Sequence, residues 1–149
     1  MTSFLTIVAI VSIGLMIGTE FAVWVFINPI LLKLEEPARS HVVRLFGKKL
    51  GTAMPFWYTA NFLFLIAGAV LLRHQPTAWL AGAAAGIWAA VIILTLIFLV
   101  PINNRLVRQG FAMPLDQAHR EHSRWDALHR VRVLALGAAF VLLLAAVNL

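Results

Sequence analysis

The sequence predicts an all-α integral membrane protein, a bundle of four transmembrane helices in one domain, residues 1–149. Hydrophobic residues make up 62% of the chain and charged residues only 12%, and the mean hydropathy is +0.91, all outside the soluble range. Four apolar runs approach the ~20 residues that a helix needs to cross about 30 Å of hydrocarbon. Backbone in lipid must satisfy its own hydrogen bonds, so runs of this length favour helices.

The predicted spans cover about residues 4–28, 53–72, 78–100 and 126–147. "NPI" at the end of the first run and "VPINN" at the end of the third contain prolines that predict a kink or an end. Between spans one and two, "ARSHVVRLFGKKLG" mixes apolar and basic residues, which predicts a short interfacial amphipathic helix in contact with anionic lipid. "MPLDQAHREHSRWDALHRVR" predicts a cytoplasmic helical extension that starts near Pro114 and leads into span four.

The positive charges indicate the topology. Of the twelve lysines and arginines, five lie in the first loop, one in the second, and six in or beside the third. The positive-inside rule then places loops one and three in the cytoplasm and both termini outside, and we expect a bacterial inner membrane. The formal charge of +6 accompanies no soluble basic domain, so nucleic acid is not an expected partner. The absence of cysteine excludes disulfides and thiolate ligands.

One carboxylate, Glu20, interrupts the apolar run "GLMIGTEFAVWVF" of span one. An ionisable group at this depth costs about 2.5 kcal/mol or more on insertion scales. Glu20 is therefore neutral, paired or facing water. A structural ion pair with Arg132 of span four is one alternative, and a functional role is the other.

Polar and tryptophan side chains recur at helical spacing on three of the predicted helices. The sets are Glu20, Trp24 and Asn28 on span one, Trp57 and Asn61 on span two, and His122, Trp125, His129 and Arg132 on the fourth helix. These faces predict a pocket in the cytoplasmic half of the bundle, with walls from Trp24, Trp57, Tyr58 and Trp125, and a polar layer of Glu20, Asn61 and Thr95 at a similar depth. The alternative for Trp57, Tyr58 and Trp125 is an interfacial aromatic belt, and for Asn61 and Thr95 an interhelical hydrogen bond.

Two further patterns have ordinary explanations. His122, Asp126 and His129 have the spacing of metal ligands, but surface histidines are usually solvated, so we expect no metal site and keep metal binding as an alternative. "GLMIG" and "GAAAG" are small-xxx-small patterns that allow close helix contacts, either within the bundle or in a homo-oligomer.

"VPINNRL" at the end of span three and "WDALHRVR" at the start of span four carry a resemblance over essentially the whole chain. The sequence resembles the anthrone oxygenase-like family of small four-span membrane proteins, most of which are domains of unknown function. The resemblance implies oxidation of anthrones to anthraquinones by molecular oxygen without flavin, haem or nicotinamide. The matching site positions are Asn103, Asn104, Trp125, His129 and Arg132. His129 departs from the pattern, because asparagine is frequent there.

These observations lead to one functional hypothesis and one alternative. The hypothesis is an oxidoreductase that oxygenates an apolar aromatic, anthrone- or quinol-like substrate with molecular oxygen and no cofactor. Glu20 or His129 is the base, and Arg132, Asn103 and Asn104 are donors to the enolate. The predicted substrate-binding residues are Trp24, Asn28, Trp57, Asn61 and Trp125. The alternative is a noncatalytic membrane protein, that is a structural subunit, a metal-binding protein or a small transporter, with Glu20 in a structural or proton-titrating polar layer.

Overall fold

A computed structural model of the chain describes residues 2–35, 37–109 and 113–149, and these residues form long helices with no strand among them. The four helices are α1 (Thr2–Ala22, continued by Val23–Ile27 and Asn28–Leu31), α2 (Ala38–Leu71), α3 (Ala78–Leu94, continued by Thr95–Leu99 and Val100–Gln109) and α4 (Leu115–Asn148). Each is long and apolar enough to cross a membrane. The predicted fold class is therefore confirmed.

The helices form a four-membered ring in which α2 and α4 each contact both α1 and α3. Its outer surface carries large exposed apolar side chains, including Phe4, Phe56 and Trp79. The buried polar side chains lie inside: Glu20, Asn28, Asn61, His129 and Arg132. This arrangement suits a lipid environment, where intramembrane ionisable groups face the interior of the bundle.

The core is densest between the middle of α3 and the middle of α4. Trp88 and Leu136 are fully buried there, beside small residues such as Ala84 and Ala139 that let the helix axes approach. From α1, Ile13 reaches the same cluster and is also fully buried.

The prolines near the ends of α1 and α3 do not end these helices. In α1, residues Val23–Ile27 form one π-helical turn, in which the N–H of Asn28 donates to the carbonyl of Val23 five residues earlier. Pro29 follows directly and the helix continues to Leu31. Proline lacks an N–H and its ring crowds the carbonyl four residues before it, and the wider π turn gives that ring room.

The same local structure recurs in α3. Residues Thr95–Leu99 form a π turn, the N–H of Val100 donates to the carbonyl of Thr95, and Pro101 follows. Span three, predicted to close at "VPINN", instead continues as helix to Gln109. The prolines thus signalled a local change of helix geometry and not a helix end.

The region between spans one and two also differs from its prediction. The residues assigned to a separate interfacial helix are the first turns of α2, which runs from Ala38 to Leu71 without a break. Pro55 lies inside this helix. The carbonyl that its ring crowds belongs to Gly51, four residues earlier, which has no side chain to add to the crowding.

The predicted extension before span four is confirmed. α4 is one continuous helix of 34 residues, Leu115–Asn148, which begins directly after Pro114. Asp116 lies in its first turn, where a negative charge interacts favourably with the helix N-terminus.

Two glycines of α2 allow its first half to approach the end of α3. A Cβ atom on Gly47 would lie 2.7 Å from Val107 Cγ2 and 3.1 Å from Asn103 Oδ1. A Cβ on Gly51 would lie 3.5 Å from Asn103 Nδ2. By contrast, a Cβ on Gly82 or Gly86 of the "GAAAG" pattern would meet no atom within 4 Å. The close approach of α2 to the end of α3 therefore depends on Gly47, which the small-residue patterns did not include.

We predict that Gly47→Ala destabilises the protein by about 1 to 3 kcal/mol, because the added methyl group overpacks the contact between α2 and α3. The matched control is Gly82→Ala, where the methyl group enters open space and the helix gains up to ~1 kcal/mol. Thermal unfolding of the two variants in the same detergent measures the difference. Equal unfolding temperatures would contradict the close approach at Gly47.

Candidate functional site

A cavity of about 300 Å³ lies between the four helices, at the end of the bundle where α1 and α3 end and α2 and α4 begin. Its walls come from residues 20–31 of α1, 43–59 of α2, 92–106 of α3 and 122–132 of α4. Both π turns contribute to the walls. The volume falls at the lower end of the range of small-molecule sites, about 300 to 1,000 Å³.

Glu20 lies in the wall of this cavity and is only 3% exposed. Its Oε2 accepts a hydrogen bond from Arg132 Nη2 at 2.6 Å, and its Oε1 accepts one from the Tyr58 hydroxyl at 3.0 Å. Glu20 is therefore paired, one of the alternatives that the sequence left open. The contacts join α1 to α4 and to α2 within one buried cluster.

His129 completes the cluster, and its partners define its tautomer. Arg132 Nη2 lies 2.9 Å from His129 Nδ1, and since arginine can only donate, Nδ1 accepts. His129 Nε2 lies 3.1 Å from the backbone carbonyl of Glu20, which can only accept, so Nε2 carries the proton. The imidazole is thus neutral, with both nitrogen atoms engaged, and it holds the guanidinium against the carboxylate.

Tyr58 is predicted as part of the pocket wall but not as a catalytic or substrate-binding residue, and the structure places it in this cluster. Its ring packs beneath Arg132, whose Cζ lies 5.7 Å from the ring centroid, and its backbone carbonyl accepts a 3.2 Å hydrogen bond from Trp88 Nε1. The sequence does contain a signal for it. Tyr58, Asn61 and Leu65 are buried at i, i+3 and i+7 of α2, so this stripe, and not the one through Trp57, faces inward.

Trp125 and His122 form an aromatic wall that extends from the cluster toward the start of α4. The Trp125 ring stacks on His129 at 4.7 Å with an interplanar angle of 12°, and on His122 at 6.3 Å with an angle of 30°. All three side chains line the cavity. A flat apolar ligand can pack against such a surface.

The predicted donors at the end of α3 separate into two cases. Asn103 lines the cavity, where its amide packs against the bare backbone of Gly47 and Gly51. Asn104 is exposed and is not among the residues that line the cavity. Consecutive residues point about 100° apart on a helix, so the two side chains cannot share one site.

Three predicted substrate-binding residues, Trp24, Trp57 and Asn61, are likewise not among the residues that line the cavity. Asn61 Oδ1 accepts a 2.6 Å hydrogen bond from Ser12, and Trp57 Nε1 donates to the same Ser12 hydroxyl at 3.0 Å. Tyr58 lies opposite Glu20, and Asn61 contacts α1 at Ser12 and Met16, one to two helical turns before Glu20.

Trp24 differs from its predicted placement because of the local phase of α1. The residues of α1 that face the cavity are Glu20, Val23, Ile27, Asn28 and Leu31. Trp24 lies to one side of this stripe and packs edge-on against Phe21, with the ring centroids 6.1 Å apart.

Asn28 lines the cavity as predicted and also ties the end of α1 to α4. Its Nδ2 donates to Asp126 Oδ1 at 2.8 Å, while Asp126 Oδ2 accepts hydrogen bonds from Arg130. Polar contacts thus connect α1 and α4 at two levels, Glu20 with Arg132 and Asn28 with Asp126.

Comparison with known proteins gives one match. The sequence profile of the family described as anthrone oxygenase matches residues 42–142. That region covers more than half of the chain. The chain belongs to the anthrone oxygenase family. No curated protein and no solved structure matches it.

The family region contains most of the cluster but not all of it. Tyr58, His129 and Arg132 lie inside the matched region, whereas Glu20 lies in α1, before it. The anthrone oxygenase region of this chain therefore supplies the arginine and its supports, and α1 supplies the carboxylate that pairs with it.

The positions of the side chains do not favour the alternative of a metal site at His122, Asp126 and His129 in this member of the anthrone oxygenase family. Within the described ranges, no three histidine, aspartate or glutamate side chains are positioned to hold one metal ion. Of the proposed set of His122, Asp126 and His129, the aspartate bonds to Asn28 and Arg130, and both nitrogens of His129 are engaged.

We predict that Arg132→Ala destabilises the protein by about 3 to 5 kcal/mol, because it leaves the Glu20 carboxylate buried without its counter-charge. The matched control is Arg130→Ala on the same helix. Arg130 is 55% exposed, and its partner Asp126, 13% exposed, keeps its hydrogen bond from Asn28, so removal of Arg130 changes stability by at most ~1 kcal/mol. Thermal unfolding in detergent gives both values. A similar small effect for the two variants would show that Glu20 does not depend on Arg132.

Proposed function

We propose that the protein is a membrane-embedded oxygenase that oxidises an apolar aromatic, anthrone- or quinol-like substrate with molecular oxygen and without a cofactor. One observation carries the proposal. A carboxylate, Glu20, lies in the wall of a mostly apolar cavity, next to an arginine and a tyrosine that can stabilise a neighbouring negative charge. Membership of the anthrone oxygenase family supports it.

The cavity suits a flat hydrophobic substrate. Aliphatic side chains such as Val23, Leu50 and Leu99 cover most of it, and the Trp125 ring, stacked with His122 and His129, forms an aromatic part of the wall. Such a molecule partitions into the bilayer, so a site among transmembrane helices meets it at a high local concentration.

Glu20 is the base in the proposed reaction. Its carboxylate removes a proton from the carbon atom opposite the ketone of the substrate, and the electron pair becomes an enolate conjugated with the aromatic rings. The guanidinium of Arg132 stabilises the enolate oxygen, since a fixed donor in a dry site is worth more than one in water.

The remaining steps use the electrons of the substrate. The carbanion carbon transfers electrons to molecular oxygen and forms a C–O bond, which gives a peroxide at that carbon. Loss of the second hydrogen of this carbon with cleavage of the O–O bond leaves a carbonyl group. Glu20 returns the first proton to the peroxide to give a hydroperoxide, then removes the second hydrogen of this carbon as a proton and passes it to the departing hydroxide, which leaves as water. One oxygen atom enters the quinone and the other enters water, so four electrons pass to molecular oxygen.

His129 is assigned a positioning role. Its Nδ1 lone pair already accepts from Arg132, and its Nε2–H already donates to the Glu20 carbonyl. Glu20 retains free lone pairs on its carboxylate, because each oxygen makes one of the bonds described and can accept two. The carboxylate is therefore the better base in this arrangement.

A noncatalytic role is the second candidate, and the ion pair itself favours it. Glu20 and Arg132 join α1 to α4 from buried positions, which is how a structural polar layer fixes helix register. In that case the cluster matters for stability alone.

The distribution of charge supports the proposed topology. Eleven of the twelve lysines and arginines lie in or beside loops one and three, at the cavity end of the bundle. We propose that this end faces the cytoplasm, in contact with anionic lipid, and that both termini lie on the opposite side of a bacterial inner membrane.

We predict that Glu20→Gln lowers the rate of anthrone oxidation by about 10²- to 10⁴-fold, because glutamine keeps the shape of the side chain but cannot take a proton. The control is Glu121→Gln, which removes a carboxylate that pairs with Arg105 away from the cavity and leaves the rate unchanged. Oxygen consumption and quinone absorbance in purified protein measure turnover.

The outcomes separate the two candidates. If the unmodified protein consumes no oxygen with an anthrone, the oxygenase proposal is overturned. If Glu20→Gln is less stable but retains full turnover, Glu20 belongs to a structural layer. If His129→Ala abolishes turnover while Glu20→Gln retains it, His129 is the base.

A further inference from the structure

The cavity is open to the outer surface of the bundle on one side. Six of the described residues in its wall are exposed, and five of them lie on α2 and α3: Gly51, Pro55, Thr59, Leu96 and Val100. The sixth, Phe46, lies about 140° around α2 from Gly51. The described wall residues of α1 and α4 are all buried or half-buried. The opening therefore lies between α2 and α3.

The π turn of α3 lies at this opening. α2 contacts α3 on both sides of the turn, at Ala78–Leu94 and at Val100–Gln109, and makes few contacts with Thr95–Leu99 itself. Gly51 adds no side chain to the gap, and a Cβ atom there would reach only Asn103 within 4 Å. The two helices thus separate around a window, which we define as Gly51, Pro55, Thr59, Leu96 and Val100.

The side chains of the window suit hydrocarbon. Leu96 is 60% exposed, and its neighbours around the window, such as Phe56 and Ile97, are also exposed and apolar. The Thr59 hydroxyl donates to the Pro55 carbonyl at 2.8 Å, so this polar atom is already paired within α2. A window of this composition, in a helix long and apolar enough to cross a membrane, opens toward lipid chains.

Positive charge lies next to the window. Neither α2 nor α3 contains an aspartate or a glutamate, whereas their ends at the cavity carry six lysines and arginines. Lys48 is exposed on the side of α2 that carries Pro55, and it has no ion-pair partner among the described residues. On α3, the exposed Asn104 follows Val100 by one helical turn. A cation and an amide thus flank the window on the side nearer the basic end of the bundle.

The order of these groups along α2 matches the order of groups in a phospholipid. Lys48 precedes Pro55 by seven residues, about 10 Å along the helix axis. A phosphate at Lys48 therefore has its acyl chains at the level of the window. Basic residues close to the membrane surface attract anionic lipids. The charge of these two helices thus favours an anionic headgroup.

We propose that the protein binds an anionic phospholipid across this window, with the phosphate at Lys48 and Asn104 and one acyl chain in the cavity. The aliphatic walls of the cavity, which include Val23, Leu50 and Leu99, surround the chain. The chain occupies the cavity when no other apolar ligand does. Lipid binding is therefore a separate property from the proposed oxygenase reaction and does not depend on it.

Photolabelling tests where the acyl chain lies. The purified protein is placed in phosphatidylcholine nanodiscs that contain a small share of phosphatidylglycerol with a diazirine at the end of one acyl chain. After irradiation, mass spectrometry of peptides identifies the labelled residues. We expect label on cavity residues such as Leu99 and Trp125 in addition to the outer surface. Label confined to outward-facing residues such as Phe56 and Leu63 would overturn insertion of the chain.

A variant that narrows the window tests the route. Thr59→Trp places a large ring in the window, and we expect it to lower the ratio of cavity label to surface label. The matched control is Leu63→Trp, which adds the same ring at an exposed position one turn farther along α2, outside the cavity wall, and leaves this ratio unchanged. Thermal unfolding shows that both variants are folded. An unchanged ratio in Thr59→Trp would overturn entry through the window.

The headgroup is tested by placing the same label on phosphatidylcholine, which has a phosphate but no net charge. We expect phosphatidylglycerol to label the cavity more strongly, and Lys48→Gln to lower its label by about fivefold, the effect of one cation near the membrane surface. Asn104→Ala lowers the label from both lipids, since both carry the phosphate. The control is Arg73→Gln, at the opposite end of the bundle, which changes neither.

Each outcome of the headgroup experiment decides one contact. Equal cavity labelling by the two lipids in the unmodified protein would overturn the anionic headgroup, and unchanged labelling in Asn104→Ala would overturn the contact with the phosphate. These measurements need no turnover. A protein that binds the lipid but consumes no oxygen with an anthrone would therefore overturn the oxygenase alone.

Discussion

The buried ion pair between Glu20 and Arg132 is the interaction on which the rest of the site depends. In a bundle surrounded by lipid, each charge is compensated by the other, by the hydrogen bond that Tyr58 donates to Glu20 and by the one that His129 accepts from Arg132. The pair ties α1 to α4, and Tyr58 brings α2 to the same point. The relative positions of three helices are therefore set by one electrostatic requirement.

The helix geometry around this pair leaves a cavity beside it. Two proline-linked π turns, Val23–Ile27 and Thr95–Leu99, lie in its walls, and each widens its helix where regular packing would otherwise continue. Gly47 lets α2 contact the end of α3 below them. An apolar space thus lies next to the Glu20 carboxylate, and π turns frequently occur at functional sites.

The chemistry proposed for the site uses the same features. The proposed reaction removes a proton from an apolar aromatic substrate and stabilises the anion that forms. It requires a carboxylate base beside an arginine, an aromatic cavity wall and few competing polar groups. The family relationship covers the arginine and its supports, while the carboxylate comes from α1. The first helix therefore completes the site.

Sequence alone determined the features that depend on composition and on local spacing. Four apolar runs predicted four helices because lipid permits few other structures, and the depth of Glu20 required it to be neutral, paired or facing water, with Arg132 of span four as a candidate partner. The α4 extension followed from Pro114 and the charges after it. The resemblance in "VPINNRL" and "WDALHRVR" identified the family.

The tertiary structure alone decided which side chains meet. Tyr58 lies opposite Glu20, at the level where Asn61 was expected, because Tyr58, Asn61 and Leu65 form the buried face of α2. Trp57 lies to one side of that face. The phase of α1 excludes Trp24 from the cavity wall, and the two π turns that contribute to that wall appear only in the structure. The sequence pattern of one helix predicts its buried face only to within a large angle of rotation about the helix axis. The side-chain contacts are decided by helix rotation, register and π turns. These result from packing among all four helices.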